Sequence, residues 1–419
     1  MKKSLIALAI GATAGSAFAQ ASVELYGRGH AGLDRWSAEG SAAGATRDLK
    51  ARTRVFDSGS RVGLRGNENL GGGVQASFVI ETGINLDNAQ ELGQGGLQNT
   101  GTGFFGSREA HVALGNNSAQ VRFGRQNVYW GNGSVEDVSA NHMVFGGIGI
   151  YTAASSGYVT APAARLENTT KIVLNKGLVG NFAGSEIYYG VLAANERASY
   201  GATPMGSAMG ATVRYASGPL GAQLDYVKVS DSAGALDTTN RNNTGLKLVG
   251  GYQVLKTTKI QAAYFVMERE FTDAATNTAA LGVATDAATA AIKASSNPVT
   301  TAVAATNQPA GGGKQSGFGL GVIHDLGGPL SLYAQWAKLG DFQHVTRGAQ
   351  ADTNSNSWAL GLRYNFSNRT HVYTSYSVIN NAAKNNVAMT GGGYSSGPTT
   401  GAPMGADNKI LALGLFHNF

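Results

Sequence analysis

The residues best placed to do chemistry in this chain are arginines and carboxylates that share one face of an alternating pattern. In Val23–Asp34, the side chains of Glu24, Tyr26, Arg28, His30 and Asp34 fall on one face. Val23, Leu25, Gly27, Gly29, Ala31 and Leu33 fall on the other. Arg61 and Arg65 stand against Val62 and Leu64 in the same way, and Gln75, Ser77 and Glu81 against Val74, Ala76, Phe78 and Ile80. Guanidinium and carboxylate groups at such positions can pair, hold an anion, or set up a field across a wet gap.

Other motifs carry less. Gly27-Arg-Gly-His-Ala-Gly32 has the spacing of a dinucleotide-binding glycine turn, but that turn must follow a strand and open a helix. Here the period-two alternation runs straight through it, so the glycines read as small residues of a strand. The seven His are scattered without His-x-x-x-His or HExxH spacing, there is no Cys, and no metal site is expected. Gly131-Asn-Gly-Ser-Val-Glu-Asp137 offers oxygen ligands without the spacing of a calcium loop. No G-x-S-x-G elbow is present. No catalytic residue, cofactor or enzyme activity is expected.

The elements that position these side chains are strands throughout. Sixteen segments alternate: 22–34, 58–66, 73–83, 108–115, 119–125, 167–175, 181–193, 208–216, 220–229, 244–254, 258–269, 316–325, 329–339, 356–366, 369–379 and 409–419. Most run about ten residues, the length a tilted strand needs to cross a bilayer. Short connections such as 217–219 and 367–368 alternate with long ones at 35–57, 84–107, 126–166, 270–315 and 380–408. One rim is thus expected to face a periplasm and the other the exterior. The Ala- and Thr-rich stretch 270–315 reads as a surface loop with room for helix in 278–294. Tyr151, Tyr158, Tyr188, Tyr189, Tyr364, Tyr373, Tyr376, Phe366 and Phe419 lie near strand ends, where interfacial girdles form.

The termini agree. Met1-Lys2-Lys3, an apolar stretch from Ser4 to Ala14 and Ala17-Phe18-Ala19 form a secretory signal, expected to be cleaved after Ala19. Residues 20–419 read as a single domain. At the other end Leu411, Leu413, Leu415 and Phe419 form an apolar stripe that ends on an aromatic. That segment is expected to pair with Val23–Asp34 and close the sheet. The chain has 60 Gly, 8 Pro and a formal charge of +6, too mild and dispersed for a nucleic-acid partner. Outside the signal no apolar run approaches the length of a membrane helix, so spanning requires a closed barrel with apolar side chains toward lipid and polar ones toward a wet lumen.

Ser60-Arg-Val-Gly-Leu-Arg-Gly-Asn-Glu-Asn-Leu-Gly-Gly-Gly-Val-Gln-Ala-Ser-Phe-Val-Ile-Glu81 resembles the most recognisable stretch of the Gram-negative general porins, β-proteobacterial branch. Leu25-Tyr-Gly27, Arg108-Glu-Ala-His-Val-Ala-Leu114, Val121-Arg-Phe-Gly-Arg-Gln126 and the terminal Ala-Leu-Gly-Leu-Phe-His-Asn-Phe419 are similar to further pieces of that pattern. The resemblance implies an all-β transmembrane antiparallel barrel of about sixteen strands. It also implies a homotrimer in the outer membrane, surrounded by its lipid, and a third loop (126–166 by position) folded into the lumen.

The resemblance further implies a constriction that sets wall arginines against acids. By position Arg61 and Arg108 match the wall arginines and Glu81 a wall acid. Arg125 begins the third loop, Glu136 and Asp137 are its acids, and Arg165 ends it. Arg28 and Arg65 join the pore lining by parity. Arg108 shares parity with outward Val112 and Leu114, so either a bulge intervenes or Arg108 sits beyond the regular strand. Lumen-facing Arg28, Arg61, Arg65 and Arg214 are balanced by Glu24, Asp34, Glu81 and Asp225, which predicts weak selectivity, and Arg108 and Arg125 added to the positive side lean it to anions. No Arg lies between Arg125 and Arg165, which argues against strong anion selectivity. The expected function is passive diffusion of ions and small hydrophilic solutes. A channel specific for organic acids or sugars is the alternative.

Overall fold

The computed structural model describes residues 22–84, 86–87, 106–127, 165–174, 182–192, 206–231, 241–271, 312–345, 347–388 and 402–419. Its strands are β1 (Ser22–Glu39), β2 (Leu49–Asp57), β3 (Arg61–Gly71), β4 (Val74–Gly83), β5 (Glu109–Gly115), β6 (Ala119–Asn127), β7 (Arg165–Leu174), β8 (Phe182–Leu192), β9 (Gly206–Ser217) and β10 (Leu220–Asp231). They continue with β11 (Arg241–Leu255), β12 (Thr258–Phe271), β13 (Gly313–Gly327), β14 (Leu330–Leu339), β15 (Phe342–His344), β16 (Gly348–Gln350), β17 (Ser355–Asn365), β18 (Thr370–Asn381) and β19 (Asp407–Asn418).

Consecutive wall strands pair antiparallel, and β19 returns to pair with β1 from Arg28↔Asn418 to Glu39↔Asp407. The sheet is therefore a closed cylinder, with no wall strand left as an open edge. All sixteen expected segments are strands of this wall, with β2 and β3 counted as one. Both lie against β1: β3 against Ser22–Arg28 and β2 against Ala31–Ala38. Between them the chain bends at Ser58–Ser60. The Asp57 carboxylate holds the bend by accepting the backbone N–H of Gly59 (2.9 Å) and Ser60 (3.1 Å). The hairpin β15–β16 lies outside the wall count and extends the edge of β13.

The stretch 35–57, expected as a plain loop, is corrected here. β1 continues to Glu39, a 3-10 turn covers Ala45–Arg47, and β2 extends the wall outward. Lys50, Arg52 and Arg54 keep period two, but the opposite face of β2 offers only small or polar Ala51 and Thr53 between Leu49 and Val55, too weak an apolar stripe to mark a lipid-facing strand.

Alternation sets the two faces. Leu411, Leu413 and Leu415 are about half exposed on the outside, while Ile410, Ala412 and Phe416 between them are buried on the inside. Val112 and Leu114 face out and His111 and Ala113 face in. Together with Leu25, Leu64, Phe123, Ile172, Leu248 and Leu360, the exposed side chains make the apolar outer surface that lipid requires. Tyr189, Tyr364, Tyr376, Phe366 and Phe419 are exposed on this surface. Tyr188 and Tyr373, expected in a girdle, are instead buried on the inner face, because their parity is opposite to that of Tyr189 and Tyr376. Tyr151 and Tyr158 lie outside the described residues, as do the signal segment and 278–294.

The inner face is not uniformly polar, contrary to expectation. Val227, Val249, Phe265 and Met267 are buried on it. Among them sits a polar knot: Lys247 Nζ lies 3.5 Å from Asp225 Oδ2. Thr212 Oγ1 (2.7 Å) and Gln223 Nε2 (2.8 Å) donate to Asp225 Oδ1. Lys247 and Asp225 are each 1% exposed, so removing one partner strands a buried charge. Lys247→Met is expected to destabilise the barrel by about 3–5 kcal/mol. Adding Asp225→Leu is expected to recover most of that loss. The temperature at which the folded band is lost on unboiled gels measures both. Equal thermal stability of wild type and Lys247→Met would contradict the assignment.

Candidate functional site

The site forms where β1, β3, β4 and β5 run side by side. Glu81 points inward from β4, and in register it faces Gly63 of β3 and Glu109 of β5. Gly63 matters because it has no side chain. A Cβ there would lie 2.6 Å from Cζ of Tyr26, so the tyrosine ring crosses over this glycine toward Glu81. The Tyr26 hydroxyl then donates to Glu81 Oε2 at 3.2 Å. Arg61 Nε also stands 3.2 Å from Oε2, and Arg108 Nε donates to Oε1 at 2.7 Å. One carboxylate thus receives two guanidinium groups and a phenol.

Arg108 reaches Glu81 because it precedes the first residue of β5, Glu109, and so escapes the outward parity of Val112 and Leu114. Of the two readings open from the sequence, position beyond the strand is the one observed. Arg28 is directly opposite Arg61 in the β1–β3 register. It is held by the carbonyls of Gly59 (3.0 Å) and Ser58 (3.2 Å), and its guanidinium lies 5.6 Å from the centroid of the Phe416 ring.

Arg165, the first residue of β7, lies within electrostatic range of Arg108, Arg125, Glu81 and Glu109. Arg125 falls where the β6–β7 register shifts between Gly124 and Gln126, a bulge that re-aims the chain. Arg65 is not part of the Glu81 cluster. It forms a bidentate pair with Glu24, both contacts at 2.8 Å, one pair of residues nearer the short-turn rim. Asp34 pairs with Arg54 at 3.0 Å. Glu136 and Asp137 lie outside the described residues.

Sequence reasoning missed Tyr26, Glu109 and Arg54 as partners. Tyr26 had the right parity. Glu109 sat next to Arg108 in a quoted motif, and its side chain accepts from Asn127 Nδ2 and lies 3.7 Å from His111 Nδ1. Positive charge exceeds negative in the described part of the cluster: Arg28, Arg61, Arg108, Arg125 and Arg165 lie within electrostatic range of one or more of the carboxylates of Glu81, Glu109 and Asp57 or of one another. Such a wall can draw an anion inward and orient polar solutes.

Residues 4–384 match the family model of the Gram-negative porins. This chain belongs to the Gram-negative porin family. Among curated relatives of this porin, outer membrane porin protein 32 of Delftia acidovorans is 29% identical over 360 residues, covering 84% of this chain and 93% of its own. An outer membrane porin protein of Bordetella pertussis is 28% identical over 418 residues, covering 91% and 95%. Among solved structures, an anion-selective porin from Comamonas acidovorans superposes with a TM-score of 0.66 at 20% identity, over 96% of this chain and all of the other. The trimer form of OmpT from Vibrio cholerae gives 0.60 at 14% identity, over 95% and 99%. The protein is an outer-membrane β-barrel, and a porin of this kind is a channel for passive diffusion.

Proposed function

We propose that this porin passes ions and small hydrophilic solutes through a wet lumen that favours anions weakly, with Arg61, Arg108, Arg28 and Arg165 on one side of its narrowest part. The observation that carries the reading is the Glu81 cluster: one carboxylate shared by two arginines leaves the wall positive. The printed description of the Comamonas structure as anion-selective points the same way. No step in this function forms or breaks a covalent bond. The barrel acts as a homotrimer, in keeping with the trimer form among its structural neighbours, and it reaches the outer membrane through the signal in residues 1–19.

Glu81→Gln removes the acid while keeping its shape. In bilayers under a salt gradient it is expected to move the zero-current potential further toward that of chloride, because Arg61 and Arg108 lose the charge that offsets them. A shift toward potassium would contradict the proposal. Proteoliposomes carrying the wild type are expected to swell in arabinose, and failure to swell would overturn the reading of an open diffusion pore.

A further inference from the structure

A line of rings crosses the outside of the wall near the long-loop rim. Trp336 of β14 and Trp358 of β17 are directly opposite in register. Phe318 of β13 packs edge-on against Trp336 with ring centroids 5.2 Å apart, and Tyr376 of β18 against Trp358 at 5.4 Å. Phe318, Trp336 and Tyr376 are exposed on the same outer face as Leu320 and Leu360.

Lys338 stands one outward position beyond Trp336 and is the next to last residue of β14, at its long-loop end. Its row runs from Phe318 through Lys338 and Asn356 to Asn380. Asn380 Nδ2 donates to Asn356 Oδ1 at 2.9 Å, and among the described residues the Asn356 amide N–H groups are left unused. Lys338 is exposed and has no ion-pair partner among the described residues. The same holds for Lys409 of β19, which shares the row of Trp358 and Val378.

Acids are scarce around these lysines. β14, β17 and β18 contain no carboxylate, and the one in β13, Asp325, accepts from Ser331 on the inner face. Asp341, beyond β14, accepts from the Thr353 backbone and from Asn354 (3.0 and 2.8 Å). Asp407 on β19 accepts from the Asn381 backbone (3.3 Å), and Glu268 of β12 is in register with Lys314, not with Lys338. From the short turns outward, this face thus runs from aliphatic side chains to indole rings to an ammonium group. A phospholipid presents the complementary order of chains, interface and phosphate.

We propose that Lys338, Asn356 and Lys409, over Trp336 and Trp358, form a docking site for the anionic phosphate headgroup of a lipid in the leaflet on the long-loop side. The apolar wall accepts any acyl chain, and the unpaired lysines select a net negative headgroup over a zwitterionic one.

The test uses the purified protein in phosphatidylcholine vesicles. Brominated phosphatidic acid, or in a second arm brominated phosphatidylcholine, is added in increasing fractions. Bromine quenches the indoles it touches, so Trp336 and Trp358 report occupancy. Half-maximal quenching by phosphatidic acid is expected at a fraction about fivefold or more below that for phosphatidylcholine, the worth of one lysine beside an anionic lipid. Lys338→Gln is expected to remove most of that gap and Lys338→Arg to keep it. Should Lys338→Gln fail to assemble, Lys409→Gln is read in the same way. Trp336→Phe combined with Trp358→Phe is expected to abolish the gap, since Trp36 is buried inside the wall. Equal quenching of the wild type by the two lipids overturns the site. So does a gap that the lysine variant leaves unchanged, or one that persists without Trp336 and Trp358.

Discussion

Channels carrying Arg61→Gln together with Arg108→Gln are expected to shift their zero-current potential toward potassium, and the chloride preference to fall about fivefold or more. Both arginines contact one carboxylate, at 3.2 and 2.7 Å. Their loss therefore removes two positive charges and also uncovers Glu81. Even in a water-like medium one unit charge at 4 Å alters the energy of a passing ion by about 1 kcal/mol. That is a factor of about five. Each single variant is expected to give a smaller shift, since the remaining arginine still covers Glu81. If instead the arginines serve only to brace the wall, the double variant loses thermal stability and its zero-current potential stays where it was. That second outcome would remove these two residues from the selectivity mechanism.

Gly27→Leu is expected to cut the yield of assembled barrel severalfold, as is deletion of Phe419. The two ends of the chain meet at this point. Gly27 N–H donates to the Phe419 carbonyl and Phe419 N–H to the Gly27 carbonyl, each at 3.1 Å. The Phe419 ring lies over Gly27, so that a Cβ there would stand 2.3 Å from Cζ of the ring and 2.7 Å from the Arg61 carbonyl oxygen. The ring can swing aside at a cost, but the β3 backbone cannot, and overpacking of this kind is destabilising. Gly27 is thus a socket that fixes the register of closure. The fraction of heat-modifiable folded protein in outer-membrane preparations reads both variants. Wild-type yield from Gly27→Leu would show that the socket is not needed.

The wall was largely legible because a strand in lipid must alternate, and alternation survives in a single sequence as period two. The terminal stripe Leu411, Leu413, Leu415 and Phe419 marks the seam, and its pairing with Val23–Asp34 is the closure observed. What the sequence hid follows from pairing, which one chain read linearly does not display. Gly27 looked like one small residue among several until Phe419 was placed over it. Asp225 was visible as an acid, but Lys247 is its partner only because β10 and β11 lie in one register. β2 escaped notice because its outward face carries Ala51 and Thr53 between Leu49 and Val55, a stripe too small and polar to stand out against Lys50, Arg52 and Arg54 on the other face. Of the site, Arg61 and Glu81 were readable by parity. Arg108 was not, since it stands one residue before β5 begins and follows no strand rule.

The most direct measurement is the zero-current potential of the wild-type protein in planar bilayers under a tenfold potassium chloride gradient. An open channel whose potential lies on the chloride side of zero is the predicted result. A potential on the potassium side would contradict the positive wall built by Arg28, Arg61, Arg108 and Arg165 around Glu81. Absence of stepwise conductance from folded protein would contradict the channel itself.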